Sequence, residues 1–413
     1  MTDSYSQALP YAPPKESLSA FDTPIAIAAA IIISFVGNAV VMGMPMLVGA
    51  LADNLNFSEQ RVGWLASADL GGMFLASILT AVLINRVNRR QLAVAGIVIA
   101  LLANYLSSQF HDFNALFYTR VIAGFGGGIC YSLGVGCLAG THHTARNFSI
   151  LMFTLVAINA IELYTFPILS DTWGINGIYY SFCAAFALCL LAVPKLPAFS
   201  DSQNATSTNT TPENTPHHSA TPIPSSLPKL CLLAVCSFYI TIGSFWAYIE
   251  RAGVDAGLSD TFITNTLTIG TIFTLLGCIV ATWLSKRAGQ SKPLLGALIC
   301  MAGALTLLAM GIKPIIFIIG NFAFNIMWLF VDIFQLGTIS NLDHTGRYAA
   351  LIPGAQGLAQ TAAPTLAGFL LAQNAGYGAV MLLGAAGSIG AFIIYCVVYK
   401  KLKQIAPNLA DAD

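Results

Sequence analysis

Long apolar runs, each about the length needed to cross a bilayer, recur along the whole chain and are separated by short polar breaks. A hydrocarbon core of about 30 Å takes about 20 helical residues to span. Twelve such segments are predicted, over residues 24–52, 61–85, 90–110, 114–140, 147–170, 176–194, 229–251, 258–285, 292–312, 314–341, 347–372 and 376–399. They are continuously apolar, without the two-residue alternation of a barrel strand, so helices are expected.

One break is long. Residues 195–228 are rich in Ser, Thr, Asn and Pro and cannot bury enough apolar surface to order themselves, which predicts a flexible linker. The pattern divides the chain into a tail (1–23), a six-helix bundle (24–194), the linker, a second six-helix bundle (229–400) and a second tail (401–413). The halves echo each other. A basic loop follows the second span of each, at Asn85–Arg90 and Lys286–Lys292, and a proline falls late in the fifth, at Pro167 and Pro364. Two parallel six-helix repeats imply an alternating-access carrier, with its site between the halves.

Composition agrees with a membrane protein. Of 413 residues, 56% are apolar and 9% charged, against about 25% charged in an average soluble chain. The net charge is zero and no basic stripe is present, so no nucleic-acid partner is expected. No short apolar core with a small-residue cleavage site precedes the first span, so no cleaved signal peptide is expected. Cys130, Cys137, Cys183, Cys189, Cys231, Cys236, Cys278, Cys300 and Cys396 all lie in apolar stretches and are expected to be packing residues rather than a disulfide framework. With both termini inside, fourteen Lys and Arg fall on the inner side, against Arg61, Arg251 and Lys313 on the outer side, which predicts cytoplasmic ends.

An ionisable group in hydrocarbon is a functional hypothesis by default. The candidates are Asp69 in span two, Arg120 in span four, Glu162 in span five and Asp332 in span ten. At 1.5 Å per residue the first three lie roughly 10–13 Å below the outer surface, in one layer. One arginine neutralises one carboxylate. A second is then left without a cation and becomes a candidate for proton exchange, with Arg120 alternating between a carboxylate and substrate. The competing reading is a fixed ion network holding spans two, four and five together. Asp332 lies deeper, as a second proton site or a wall of the cavity.

Polar and aromatic residues at membrane depth outline that cavity: Asn38, Tyr131, Asn159, Tyr164, Trp246, Asn265, Asn325, Trp328, Gln335, Gln356 and Gln360, with Tyr239 and Asn321 beside them. About half are expected to be interhelical packing contacts. Mixed aromatic and amide character suits a small, partly apolar organic molecule. Glu250 and Arg251, which end span seven, are expected to form an outer gate contact. No HExxH motif or GxxxxGK[ST] loop occurs, and the paired histidines His142–His143 and His217–His218 sit in loops, so neither a metal site, an enzyme nor an ATP-driven pump is expected.

Three local patterns resemble the major facilitator superfamily. The loop between spans two and three reads AVLINRVNRR over Ala81–Arg90, similar to the family's Gly-x-Leu-Ala-Asp-Arg-x-Gly-Arg-Arg at Leu83, Arg86, Arg89 and Arg90, with Asn85 in place of the acid and Asn88 in place of the second glycine. Leu284, Arg287 and Gly289 retain part of it in the second half. Span four carries Arg120, Gly124 and Gly126, similar to the Arg-x-x-x-Gly-x-Gly of proton-coupled exporters. Span five has Pro167 without the flanking glycines that exporters often carry. The more glycine-rich AAPTLAGF surrounds Pro364 in span eleven.

The resemblance implies an all-α fold of two six-helix bundles in the bacterial inner membrane, acting as a monomer without an organic cofactor, with protons as coupling ion and efflux of a small molecule as the activity. The alternatives are a proton symporter importing a small organic anion held by Arg120, and a non-transporting receptor on the same fold. It also implies a gating latch from Arg86, Arg89 and Arg90 to the inner end of span eleven, with Asp343 as the nearest acid across the halves.

Overall fold

The computed structural model describes residues 22–84, 86–139, 141, 143–198, 224, 226–342, 348 and 351–405. Most of the linker predicted at 195–228 lies outside them, as do Asp343, Gly140 and His142. Among the described residues the chain forms thirteen α-helices, one short 3-10 turn and no strand. The helices are α1 (Pro24–Met42), α2 (Met44–Leu55), α3 (Glu59–Leu83), α4 (Arg89–Ser107), α5 (Phe113–Ala139), α6 (Thr144–Trp173) and α7 (Ile175–Cys189) in the first half. In the second half they are α8 (Ser226–Asp255), α9 (Asp260–Ala288), α10 (Ser291–Ala309), α11 (Pro314–Leu342), α12 (Ile352–Ala372) and α13 (Gly376–Ile405).

Two predicted spans need correction. The first is two helices, broken at Gly43, with Pro45 in the first turn of α2, where its missing N–H costs nothing. By contrast α6 and α12 run on through Pro167 and Pro364. The eleventh forms as helix α12 but is not among the eleven helices long and apolar enough to cross a membrane by composition. Its Gln356, Gln360, Thr361 and Thr365 dilute its apolar content. The helix packs on α3 of the other half and on α8, which gives these polar side chains protein neighbours.

The halves repeat at the level of helix starts. Ser58 caps α3, accepting a hydrogen bond from the Arg61 N–H, and Ser259 caps α9, accepting one from the Phe262 N–H. An acid follows each cap, Glu59 and Asp260, where the helix dipole favours negative charge. Three seams join the halves: α3 with α12, α6 with α9, and α2 with α8. Large apolar side chains form stripes on the outside of the bundle, such as Phe153, Ile161 and Ile168 on α6 and Ile269, Ile272 and Leu276 on α9. A hydrocarbon solvent takes up such stripes at no cost, whereas water would not. This is a multi-pass membrane protein.

Candidate functional site

Backbone contact between α3 and α5 places the first ion pair. Gly124 of α5 lies directly on the Asp69 carbonyl, so a Cβ there would overlap it, and Gly72 of α3 meets Val121 in the same way. This approach sets Arg120 opposite Asp69. Arg120 donates from Nη2 to Oδ1 at 2.7 Å and from Nε to Oδ2 at 2.9 Å, a bidentate pair, and from Nη1 to Asn104 Oδ1 of α4 at 2.8 Å. The guanidinium also lies 5.3 Å from the centre of the Tyr179 ring of α7. Arg120 is fully buried and Asp69 nearly so.

The third member of the predicted layer does not join them. The partners of Arg120 come from α3, α4 and α7, not from α6, and Glu162 Oε2 is buried without a hydrogen-bond partner among the described residues. One turn earlier on α6, Asn159 Oδ1 is equally unpartnered. Depth along the chain set these residues at one level, but it carries no information on which side of a helix each one leaves from.

A second group lies on α11. Asp332 Oδ2 accepts a 2.7 Å hydrogen bond from the Tyr239 hydroxyl of α8, while Oδ1 is buried without a partner. Gln335, one turn on and 2% exposed, has both its amide nitrogen and its oxygen unpartnered. Trp328, one turn before, also bears on the carboxylate, and Tyr131 of α5 lies within electrostatic range of it from the other half.

The remaining cavity candidates divide. Asn38 and Asn159 are buried, and Gln360 lines a small space between the halves with Val41, Met44 and Trp246. Gln356 is half-buried on α12. Trp246 donates its indole N–H to the Val41 carbonyl at 2.9 Å, a tie between α8 and α1. Asn325 and Asn321 bind one another, and they reach Thr274 and Thr266 of α9, so their amides are spent on packing.

Tyr164 and Asn265 were predicted in the cavity and are not there. Tyr164 is 54% exposed, on the stripe of Ile161 and Ile168. Asn265 is exposed one turn before Ile269 on the outer stripe of α9. A polar side chain in an apolar run says nothing of its face when the run has no amphipathic period.

Cross-half contacts close the end of the bundle that carries Arg251. This side chain donates to Asp53 Oδ1 of α2 at 2.6 Å and to Glu59 Oε1 of α3 at 3.4 Å. The Tyr248 hydroxyl donates to the Glu59 carbonyl at 2.7 Å, and Ser67 on α3 bonds to the Thr365 hydroxyl of α12 at 2.8 Å. The Glu250 carboxylate presses on Gly49 of α2, with Oε2 unpartnered. Sequence reading named Glu250 and Arg251 but missed Asp53 and Glu59. An acid in the last turn of α2 and another at the start of α3, on either side of a short polar loop, were the available signal.

At the opposite end, Arg90 Nε donates to the Leu196 carbonyl at 2.7 Å, the Arg89 N–H to the Ala198 carbonyl at 2.9 Å, and Arg89 Nε to the Ile84 carbonyl at 3.4 Å. Arg86 is exposed. These three bonds run to carbonyls of Ile84, Leu196 and Ala198 and not to α12, the expected end of the latch. Asp343, its expected partner, lies outside the described residues.

Comparisons with known proteins agree with this architecture. Multidrug resistance protein MdtL of Citrobacter koseri is 28% identical over 158 residues, 37% of this chain and 39% of its own length. The MdtL of Vibrio parahaemolyticus is 28% identical over 110 residues, 27% of each chain. The chain thus matches about two fifths or less of the length of these relatives. Among solved structures, the nucleoside transporter NupG superposes with a TM-score of 0.69 at 13% identity, covering 92% of this chain and all of its own. A D-xylose-proton symporter does so with 0.68 at 13%, covering 90% and 95%. At such identities the likeness is one of fold. A sequence profile of the Major Facilitator Superfamily matches residues 27–341, about three quarters of the chain, and the protein belongs to that family of membrane transporters.

Proposed function

We propose that the protein is a proton-coupled secondary transporter that exports a small, partly apolar organic molecule by alternating access, as a monomer in a bacterial inner membrane with both termini in the cytoplasm. The observation that carries this reading is Glu162: a buried carboxyl group with an unpartnered oxygen, whose expected cation, Arg120, is already engaged by Asp69. Burying a charge without a partner is costly, so such a group cycles between a protonated state in the dry bundle and an ionised state when water reaches it. Asp332, on α11, is the candidate acid of the second half.

The closed Arg251 end supports the alternating-access part. With the outer mouth tied by Arg251, Tyr248 and Thr365, and the basic loop bonded to the Leu196 carbonyl, the structure suits a state in which the cytoplasmic side is the one to open. Export rests on the partial likeness to the MdtL proteins. Import of an organic anion held by Arg120 has less support, because Asp69 and Asn104 already engage that guanidinium in a fully buried position.

The test is pH-gradient-driven transport in everted and right-side-out vesicles with a library of small organic compounds. Glu162→Gln is expected to abolish gradient-driven transport and to retain downhill exchange. Full gradient coupling in that variant refutes the role of Glu162.

A further inference from the structure

The break in the first span leaves one backbone group without its usual donor. In a continuous helix the N–H of residue 45 would bond the Val41 carbonyl, and Pro45 has no N–H. The loss costs α2 nothing, but it falls on α1, at a residue only 8% exposed. A buried carbonyl without a donor is costly. The donor comes from the other half: the Trp246 indole N–H of α8 bonds this carbonyl at 2.9 Å.

Rings fill both sides of the break. Phe166 of α6 lies on Gly43 so closely that a Cβ there would overlap it. Trp246, 3% exposed, lies parallel to Phe324 of α11, their planes 4° apart, and Phe324 in turn stacks on Phe245 at 3.9 Å. The stack fixes the plane of the indole and so the direction of its N–H. Trp246 lies five residues before Arg251 on α8, roughly 7.5 Å along the axis, so the bond belongs to the Arg251 end. Pro364 offers a comparison. The N–H after it, of Thr365, also crosses to the other half, to Ser67 Oγ at 3.1 Å, but there the Thr365 hydroxyl bonds the same oxygen at 2.8 Å. An indole carries a single N–H, so at Trp246 the polar tie is one bond to one freed carbonyl.

We propose that Trp246 is a positioning residue for the transport cycle: its indole stands in for the N–H that Pro45 lacks, and the Arg251 end opens only as the Val41 carbonyl passes from the indole to water. Helices α1 and α8 belong to opposite halves, so separating them parts this bond. Pro45 prevents the first span from replacing it from within. The break thereby makes closure depend on a donor from the other half. The inference deepens the alternating-access reading and rests on it for the opening, though not for the hydrogen bond.

The experiment is a double-mutant cycle on the full-length, cysteine-free chain in nanodiscs. Spin labels on His111→Cys and Ala256→Cys, exposed positions in loops of the two halves, read the ratio of open to closed mouth by double electron–electron resonance. Trp246→Phe keeps a ring in the stack and removes the donor. It is expected to raise the open-to-closed ratio about two- to tenfold, the worth of one net hydrogen bond. Pro45→Ala returns an N–H to the chain four residues after Val41, and alanine is the best helix former, so this variant is expected to fold. In the Pro45→Ala background, Trp246→Phe is expected to change the ratio by less than about twofold.

If Trp246→Phe does not fold, 3-benzothienylalanine at position 246 takes its place, since it keeps the fused rings and has sulfur where the indole has N–H. A shift of the same size in both backgrounds would make the indole an ordinary packing contact, and no shift toward opening in either would remove it from the gate. Each result overturns the proposal. A coupled shift without flux of any compound in proteoliposomes would refute the transport reading and keep the role of Trp246. Gradient-driven flux in a chain whose two variants do not couple would do the reverse.

Discussion

Arg120 and Asp69 form a two-pronged ion pair in the interior of the first half, both side chains about 1% exposed. Removing one member of such a pair leaves a buried charge without compensation, at a cost of about 3–5 kcal/mol. Replacing both by apolar residues of similar size removes the desolvation cost together with the attraction and is often neutral. Asp69→Asn and Arg120→Met are therefore each expected to lower the unfolding midpoint in detergent markedly, and Asp69→Leu/Arg120→Met to recover most of the loss. A double variant as unstable as the sum of the singles would show that the pair has more partners than Asn104 and Tyr179.

Two glycines at helix crossings have different consequences because of what faces them. A Cβ at Gly124 meets the Asp69 backbone, which cannot move without separating α3 from α5. Gly124→Ala is expected to destabilise by about 1–3 kcal/mol, the range for overpacking. At Gly49 the Cβ meets the end of the Glu250 side chain, which can rotate away. Gly49→Ala is expected to change stability little and to shift the gate toward opening. Chemical denaturation reads the first effect, and labelling of a cysteine at Ser67 in a cysteine-free background reads the second.

How much of this was legible in the sequence follows from what each feature depends on. Span number and the two-half division depend on apolar run length, which a bilayer fixes, so they could be read directly. Pro45 marked the place where the first span breaks. The pairing of Asp69 with Arg120 was approachable through depth, because both lie a similar number of residues from a helix end. Which face a residue occupies was not legible. In a span that is apolar all round, nothing distinguishes the stripe of Tyr164 from that of Glu162, and the choice is made by the helices that pack on α6, chiefly α9, α1 and α7. Partners far apart in the chain, such as Arg251 with Asp53, are set by the docking of the two halves and leave no local trace.

The Arg251 contacts are expected to govern an equilibrium more than a stability. Asp53 is 61% exposed and Arg251 17%, and a pair so open to solvent contributes about 0–1 kcal/mol. That is enough to move a balanced two-state gate by up to about fivefold. Arg251→Glu is expected to raise maleimide labelling of Ser67→Cys applied from the outer side, with little change in melting temperature. The charge swap Asp53→Arg/Arg251→Glu is expected to restore protection in part, since Glu59 then faces a like charge at position 251. Unchanged labelling in Arg251→Glu would mean that Tyr248 and its bond to Glu59 hold the mouth shut without it.

The lipid-facing positions give a prediction of no effect that is as sharp as the others. Tyr164 and Asn265 are polar residues on stripes of exposed apolar side chains, and neither makes a side-chain hydrogen bond among the described residues. If hydrocarbon surrounds them, Tyr164→Leu and Asn265→Leu remove a polar group from an apolar solvent and are expected to keep stability within about 0.5 kcal/mol or to raise it. Transport should be retained in both. Loss of transport in either variant, with the fold intact, would mean that this face turns toward the substrate path in another state of the cycle. The α6–α9 seam would then have to open as widely as the Arg251 end.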